Sequence, residues 1–139
     1  MTGCRFCAVE GGTAPAHIVA EGEATLAFLD HRPVFPGHTL LVPRRHIETL
    51  VDLPDDLIGP VFTDARRIAA AMEDGFGAHG TFVAMNNRIS QSVPHLHVHI
   101  VPRHRKDGLR GFFWPRTRYA SDEEAAEVAE RVRAAIDAH

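Results

Sequence analysis

Cysteine, tryptophan and tyrosine are scarce in this chain, with 2 Cys, 1 Trp and 1 Tyr among 139 residues. Two cysteines cannot build the several bridges that staple small secreted domains, and in a reducing compartment a close pair serves metal or redox chemistry instead. Long apolar runs are missing too. Nothing approaches the roughly 20 residues that a membrane-spanning helix needs. Residues 1–15 hold Cys4, Arg5 and Glu10 without an apolar core, so the expectation is no signal peptide, a cytoplasmic protein and no membrane partner. There is no excess of positive charge: the net charge is −3, which speaks against a nucleic-acid partner. Internal repeats and low-complexity segments are absent.

What charge there is lies unevenly. Segment 103–118 carries Arg103, Arg105, Lys106, Arg110, Arg116 and Arg118 against Asp107 alone, whereas 121–139 is acidic. Two readings stand: a basic loop beside a solvated acidic helix, or a basic loop that attracts an anionic substrate.

Periodicity supplies the elements. A short helix over Cys4–Glu10 ends at Gly11 and Gly12. Residues 17–20 and 24–29 are expected strands around the turn Glu21-Gly22-Glu23, and Thr39–Val42 is a third strand stopped by Pro43. Over 54–74, Leu57, Val61, Ala65, Ile68 and Met72 share one helical face, with the start obscured by Gly59-Pro60. Thr81–Met85 and His95–Val101 are the fourth and fifth strands, the last stopped by Pro102. Ser121 to Glu124 is a capping box opening a terminal helix with the stripe Ala125, Val128, Val132 and Ile136. Segregated helices and short strands predict an α+β class with an antiparallel sheet of about five strands, one long central helix and a C-terminal helix.

Histidine is what the chain has in plenty, 10 in all. His95, His97 and His99 alternate with Leu96, Val98 and Ile100. On a strand such residues alternate in direction, so the apolar set is expected in the core and the three imidazoles on one face. A row of imidazoles is costly as mere core. The readings are a satisfied polar face, a metal site, or a catalytic row in which a neutral imidazole attacks phosphorus or an acyl carbon.

Gln91-Ser-Val-Pro-His95-Leu-His-Val-His99-Ile-Val-Pro-Arg103 resembles the signature of the histidine triad (HIT) family, Hint and Fhit branches. The stretch Phe28 to His46, with Asp30, Pro33, Gly37, His38 and Pro43, is similar to that family's loop and strand before the long helix, and Cys4-Arg-Phe6-Cys7 to the start of its bacterial members. The likeness covers about residues 4–103. It implies a single HIT domain over 1–139, with 104–139 as a basic aromatic segment and helix. It implies that His97 is the nucleophile toward the α-phosphorus of a nucleotide, held by the backbone carbonyl of His95. His99 assists the leaving group, Gln91 and Ser92 lie at the phosphate, and His38 is a fourth active-site histidine. Asp30 accepts from the ribose, Phe6, Phe28 and Leu40 surround the base, and Asn86 completes the nucleotide site. A purine nucleotide or nucleotide conjugate is the implied partner. Two departures are visible: His31 stands where an aliphatic residue is expected, and the Asn86–Gln91 loop is two residues short.

Cys4-x-x-Cys7 alone is half of a zinc site or a free pair. The resemblance completes it with His46 and His95, a structural zinc, and implies that no metal is required for the chemistry. It also implies a homodimer in which Trp114, within Gly111-Phe-Phe-Trp-Pro115, lines the other subunit's pocket; by itself that cluster is equally a segment docked on its own core. Two rival functions remain at this point, a non-catalytic nucleotide-binding regulatory module and a metal-dependent hydrolase using the histidine row.

Overall fold

The structure is a computed structural model that describes residues 3–110 and 116–139. The expected Trp114 contact therefore lies outside the described residues. The chain divides into two compact units, 1–107 and 108–139.

In the first unit, α1 (Arg5–Glu10) precedes β1 (Ile18–Glu21), β2 (Thr25–Leu29), β3 (Thr39–Pro43), α2 (Asp55–Phe76), β4 (Gly80–Ala84) and β5 (Val98–Arg103). The five strands form one antiparallel sheet in the order β1-β2-β3-β5-β4. The α+β class read from the sequence is the class observed.

The pleat sorts each strand's side chains between two layers. Ala27, Leu41, Val98 and Ile100 face α2, whose buried residues are Leu57, Val61, Ala65, Ile68 and Met72. These five are the predicted stripe. Full burial of each larger member is worth roughly 1.5–3 kcal/mol. Leu26, Phe28, Leu40 and Val42 point the other way and pack with Cys4 and Phe6 of the α1 region. α2 begins at Asp55, with Asp55 and Asp56 complementing the positive helix end. It runs through Pro60, whose missing N–H costs only the bond to Asp56.

Several strand ends shift by a residue, and β3 is not stopped by Pro43 but includes it, paired with Thr25; the larger differences are at the two ends of β5. β5 begins at Val98 rather than His95, because the preceding amides are spent elsewhere: His95 N–H donates to the Val93 carbonyl at 2.8 Å and Leu96 N–H to that of Ile47 at 2.6 Å. Pro102 does not stop the strand, which pairs it with Thr81 and continues to Arg103. Because β3 pairs with β5 only as far as Thr39 opposite Ile100, the Pro102 nitrogen faces a side with no ladder to break.

In the second unit, α3 (Asp122–Asp137) is capped by Ser121, whose Oγ accepts from Glu124 N–H at 3.1 Å. The Glu124 carboxylate closes on Ala120 N–H rather than on Ser121. The predicted stripe is not buried within this unit: Val132 and Ile136 are exposed.

Candidate active site and metal centre

β2, β3 and β5 build the site on the α1 face. Registers Phe28–Leu40, Leu40–His99 and His99–Ala84 place Phe28, Leu40 and His99 in one row across the sheet. His97 enters just before β5. With Phe6, Asp30, Ser92 and Val93 these residues line a cleft of about 830 Å³, completed by Arg5, Val9 and Ala14–His17. Phe6 packs edge-on against Phe28 and against His97, with ring centroids 5.3 and 5.0 Å away.

The expected alternation holds: Leu96, Val98 and Ile100 pack in the α2 layer and the three imidazoles lie on the α1 side, where they divide between two sites. His97 and His99 face the cleft, centroids 5.0 Å apart. His95 is fully buried and turns toward the cysteines. Side-chain alternation thus extends back through His95 although the ladder itself begins only at Val98.

Hydrogen bonds fix how each ring is held, His97 by one nitrogen and His38 by both. His97 Nδ1–H donates to the His95 carbonyl at 2.7 Å, leaving the Nε2 lone pair free. Burial pushes the His97 pKa down, opposed by that hydrogen bond and by Asp30. His97 is therefore neutral at pH 7. His38 Nδ1 accepts from Val34 N–H at 3.1 Å, and its Nε2 lies 2.9 Å from His99 Nδ1 and 3.6 Å from Asp30 Oδ2. Burial also lowers His38, against the pull of Asp30. His99 is held down to about 4 by burial, then by His97 and His38, with Asp30 opposing.

Two further expected residues stand apart from this cluster. The Gln91 amide is tied at both ends to backbone, accepting from Arg88 N–H at 2.8 Å and donating to the Glu48 carbonyl at 2.7 Å. Asn86 donates to the Ser90 carbonyl at 3.2 Å. Their loop holds Arg88 and Ser90 at positive φ, 71° and 61°, a strained backbone for side chains of that kind. The cleft residues that sequence reasoning missed include Arg5 and Val9 on α1 itself and Ala14–His17 in the unpatterned stretch after it, and only proximity to Phe6 pointed to them.

Cys4, Cys7, His46 and His95 converge, all four ligand atoms lying within 4.8 Å of one another. His95 Nδ1 sits 3.5 Å from Cys4 Sγ and 3.6 Å from Cys7 Sγ; His46 Nδ1 is 3.2 Å from Cys7 Sγ. A zinc tetrahedron with bonds of about 2.3 Å to sulfur and about 2.0–2.1 Å to nitrogen has S–N edges near ~3.5 Å. The tautomers suit it. His95 donates Nε2–H to the Pro43 carbonyl at 2.8 Å, so Nδ1 carries a lone pair toward the thiols. His46 Nε2 is the one buried side-chain polar atom without a hydrogen bond among those described, and Glu48 Oε1 lies 4.0 Å from it. A metal on Nδ1 requires a proton on Nε2, and a carboxylate beside it is the usual outer support of a metal-bound imidazole. The residues fit zinc. Burial and the neighbouring Cys4 raise the Cys7 thiol, a proton that metal binding must expel.

Asp30, His38 and His99 are a second close cluster of ligating types. Here the fit fails. Val34 N–H occupies His38 Nδ1, so the neutral ring holds its proton on Nε2, the atom a metal would need.

The HIT domain family model matches residues 12–106. The Bacillus subtilis protein named Protein hit is similar, 40% identical over 113 residues that cover 80% of this chain and 78% of that one. The adenosine 5'-monophosphoramidase hnt1 of Schizosaccharomyces pombe is 31% identical over 135 residues, 96% of this chain and 98% of that one. A crystal structure of a zinc-bound histidine triad family protein from Mycobacterium smegmatis superposes with a TM-score of 0.74 at 34% identity, covering 98% of this chain and 96% of the other. Among the described residues no helix is long and apolar enough to cross a membrane.

Proposed function

The chain belongs to the HIT domain family, and on that premise we propose that it is a nucleotide hydrolase or nucleotidyl transferase working through a covalent nucleotidyl-His97. One observation carries this reading: the buried His97 ring spends its Nδ1 proton on the His95 carbonyl and keeps a free Nε2 lone pair beside an 830 Å³ cleft. A ring so fixed is a nucleophile already in the right tautomer, and burial keeps it unprotonated. The similarity to a monophosphoramidase supports an α-phosphorus substrate.

In the first step Nε2 attacks the α-phosphorus, forming an N–P bond as the bond to the leaving group breaks. In the second, water attacks the same phosphorus, releases a nucleoside monophosphate and restores His97. Phe6, Phe28 and Leu40 offer apolar walls to a purine base, and the exposed side of Asp30 accepts from a ribose hydroxyl. Gln91, Ser92 and Asn86 belong to the same reading; for Gln91 it requires the Arg88 and Glu48 bonds to open when substrate binds. Zinc held by Cys4, Cys7, His46 and His95 braces the backbone from which the His95 carbonyl projects. The working form in this reading is a homodimer.

The test is turnover of nucleoside phosphoramidates and dinucleoside polyphosphates by wild type and His97→Ala. The variant should bind a nucleoside monophosphate as before and lose several orders of magnitude in kcat. Quenched wild type should carry the nucleotide mass on the peptide containing His97. A variant with near wild-type kcat would falsify the assignment. The regulatory-module reading predicts no adduct and no turnover by wild type.

A further inference from the structure

The loop between β2 and β3 closes around one imidazole. Asp30 N–H donates to the His38 carbonyl at 2.9 Å, His38 N–H to the Phe35 carbonyl at 3.0 Å, and Val34 N–H to His38 Nδ1 at 3.1 Å. Pro33 and Pro36 flank the turn and restrict its backbone. The Val34 side chain is itself 50% exposed, so its amide, not its packing, is what reaches the site.

A neutral imidazole has one donor nitrogen and one acceptor nitrogen. With Nδ1 of His38 accepting from Val34, the proton sits on Nε2. Of the two groups before it, His99 Nδ1 at 2.9 Å is within hydrogen-bond range and Asp30 Oδ2 at 3.6 Å is not. His38 therefore donates to His99. His99 Nδ1 is then an acceptor, and the His99 proton sits on Nε2. The logic holds while both rings are neutral; burial, with His97 and His38 facing the ring, keeps His99 so at pH 7 against the opposing pull of Asp30.

We propose that the backbone amide of Val34 is a positioning group which, through His38, fixes His99 as an Nε2–H hydrogen-bond donor rather than as an acid. That this donor serves the departing group rests on the function proposed above. The distinction matters for proton balance. If His99 gave up its Nε2 proton it would become an imidazolate, and drawing a replacement from His38 would only move that charge one ring back, since Val34 has no proton to spare. His99 therefore stabilises developing negative charge by hydrogen bonding and keeps its proton. The proton that the leaving group finally carries comes from solvent.

The experiment replaces the Val34 amide by an ester, using the α-hydroxy acid analogue of valine, in the full-length zinc-loaded protein. Imidazole nitrogen-15 NMR then reads each tautomer without any substrate. In wild type, His38 and His99 should both show an unprotonated Nδ1 and a protonated Nε2. In the ester variant the His38 Nδ1 signal should shift toward the protonated type and His99 should follow, with His97 unchanged. Val34→Ala, which keeps the amide, should match wild type. The ester should lower kcat several-fold at constant affinity for nucleoside monophosphate. A wild-type His99 protonated on Nδ1 overturns the proposal, as does an ester spectrum identical to wild type or a Val34→Ala spectrum shifted like the ester. The wild-type spectrum decides the tautomer even if the ester chain does not fold. Tautomers as assigned in a protein with no turnover would sink the proposed function and leave this assignment standing.

Discussion

His95 and His97 are the same residue type two positions apart, and they hold opposite tautomers. His95 gives its Nε2 proton to Pro43 and offers Nδ1 to the thiols; His97 gives its Nδ1 proton to His95 and offers Nε2 to the cleft. Both choices are made by main-chain carbonyls. A carbonyl carries no residue-type signal, so the His-x-His-x-His and Cys-x-x-Cys spacings single out candidate residues without saying which atom of each faces a site; for His97 it was the family resemblance that implied the His95 carbonyl. Glu48 is a case in point, since only the fold brings its carboxylate 4.0 Å from His46. The metal side can be tested at one atom. Cys4 caps α1, its Sγ accepting from Cys7 N–H at 3.4 Å, and lies 3.5 Å from His95 Nδ1. Cys4→Ser keeps a capping oxygen but removes a soft ligand. Elemental analysis should fall from about one zinc per chain to well below it. The melting temperature should drop while affinity for a nucleoside monophosphate stays close to wild type. Unchanged zinc content would remove Cys4 from the ligand set.

At the scale of elements, α2 was the most legible part of the chain and the approach to β5 the least. Five apolar residues at helical spacing can be buried together in only one way, and those five are the buried residues of α2. The alternation from His95 onward was equally regular, yet burial and ladder part company there. Leu96 is fully buried while its amide bonds to Ile47, outside any strand. Alternation reports which side chains avoid water; it does not report where an amide finds its partner, and long-range partners such as Ile47 are invisible to a local pattern. The capping box at Ser121 was half right: its Ser121 arm forms, while its Glu124 arm reaches one residue further back, to Ala120 N–H. α2 also sets the cost of damage to the core. Ile68 belongs to the buried cluster that also holds Leu41, Val98 and Ile100 in the layer beneath the sheet. Ile68→Ala should therefore cost about 2–5 kcal/mol, read from the urea midpoint at unchanged m. A loss under ~1 kcal/mol would mean that this layer is looser than its burial indicates.

For the molecule as a whole, the two layers answer acid differently. The α2 layer is apolar and indifferent to pH, while the opposite layer holds His38, His95, His97 and His99, every one with its pKa lowered chiefly by burial. In the unfolded chain each returns to about 6.5. Above that value a histidine is neutral in both states and contributes no pH dependence. Below it the unfolded chain takes up protons that the folded chain refuses, so stability falls with pH. For His99 the fall continues until the folded ring also protonates, near pH 4. Each proton so refused adds a slope of about 1.4 kcal/mol per pH unit. Acid can also strip the metal, so the informative quantity is the difference between wild type and His99→Asn, both measured with excess zinc. Their unfolding free energies should differ by a constant above pH 6.5. Between about 6.5 and 4 the wild type should lose stability faster than the variant, by the slope of one proton. Parallel curves across that range would mean that His99 titrates in the folded protein as it does in the unfolded chain. Its burial would then not be what keeps the ring neutral at pH 7.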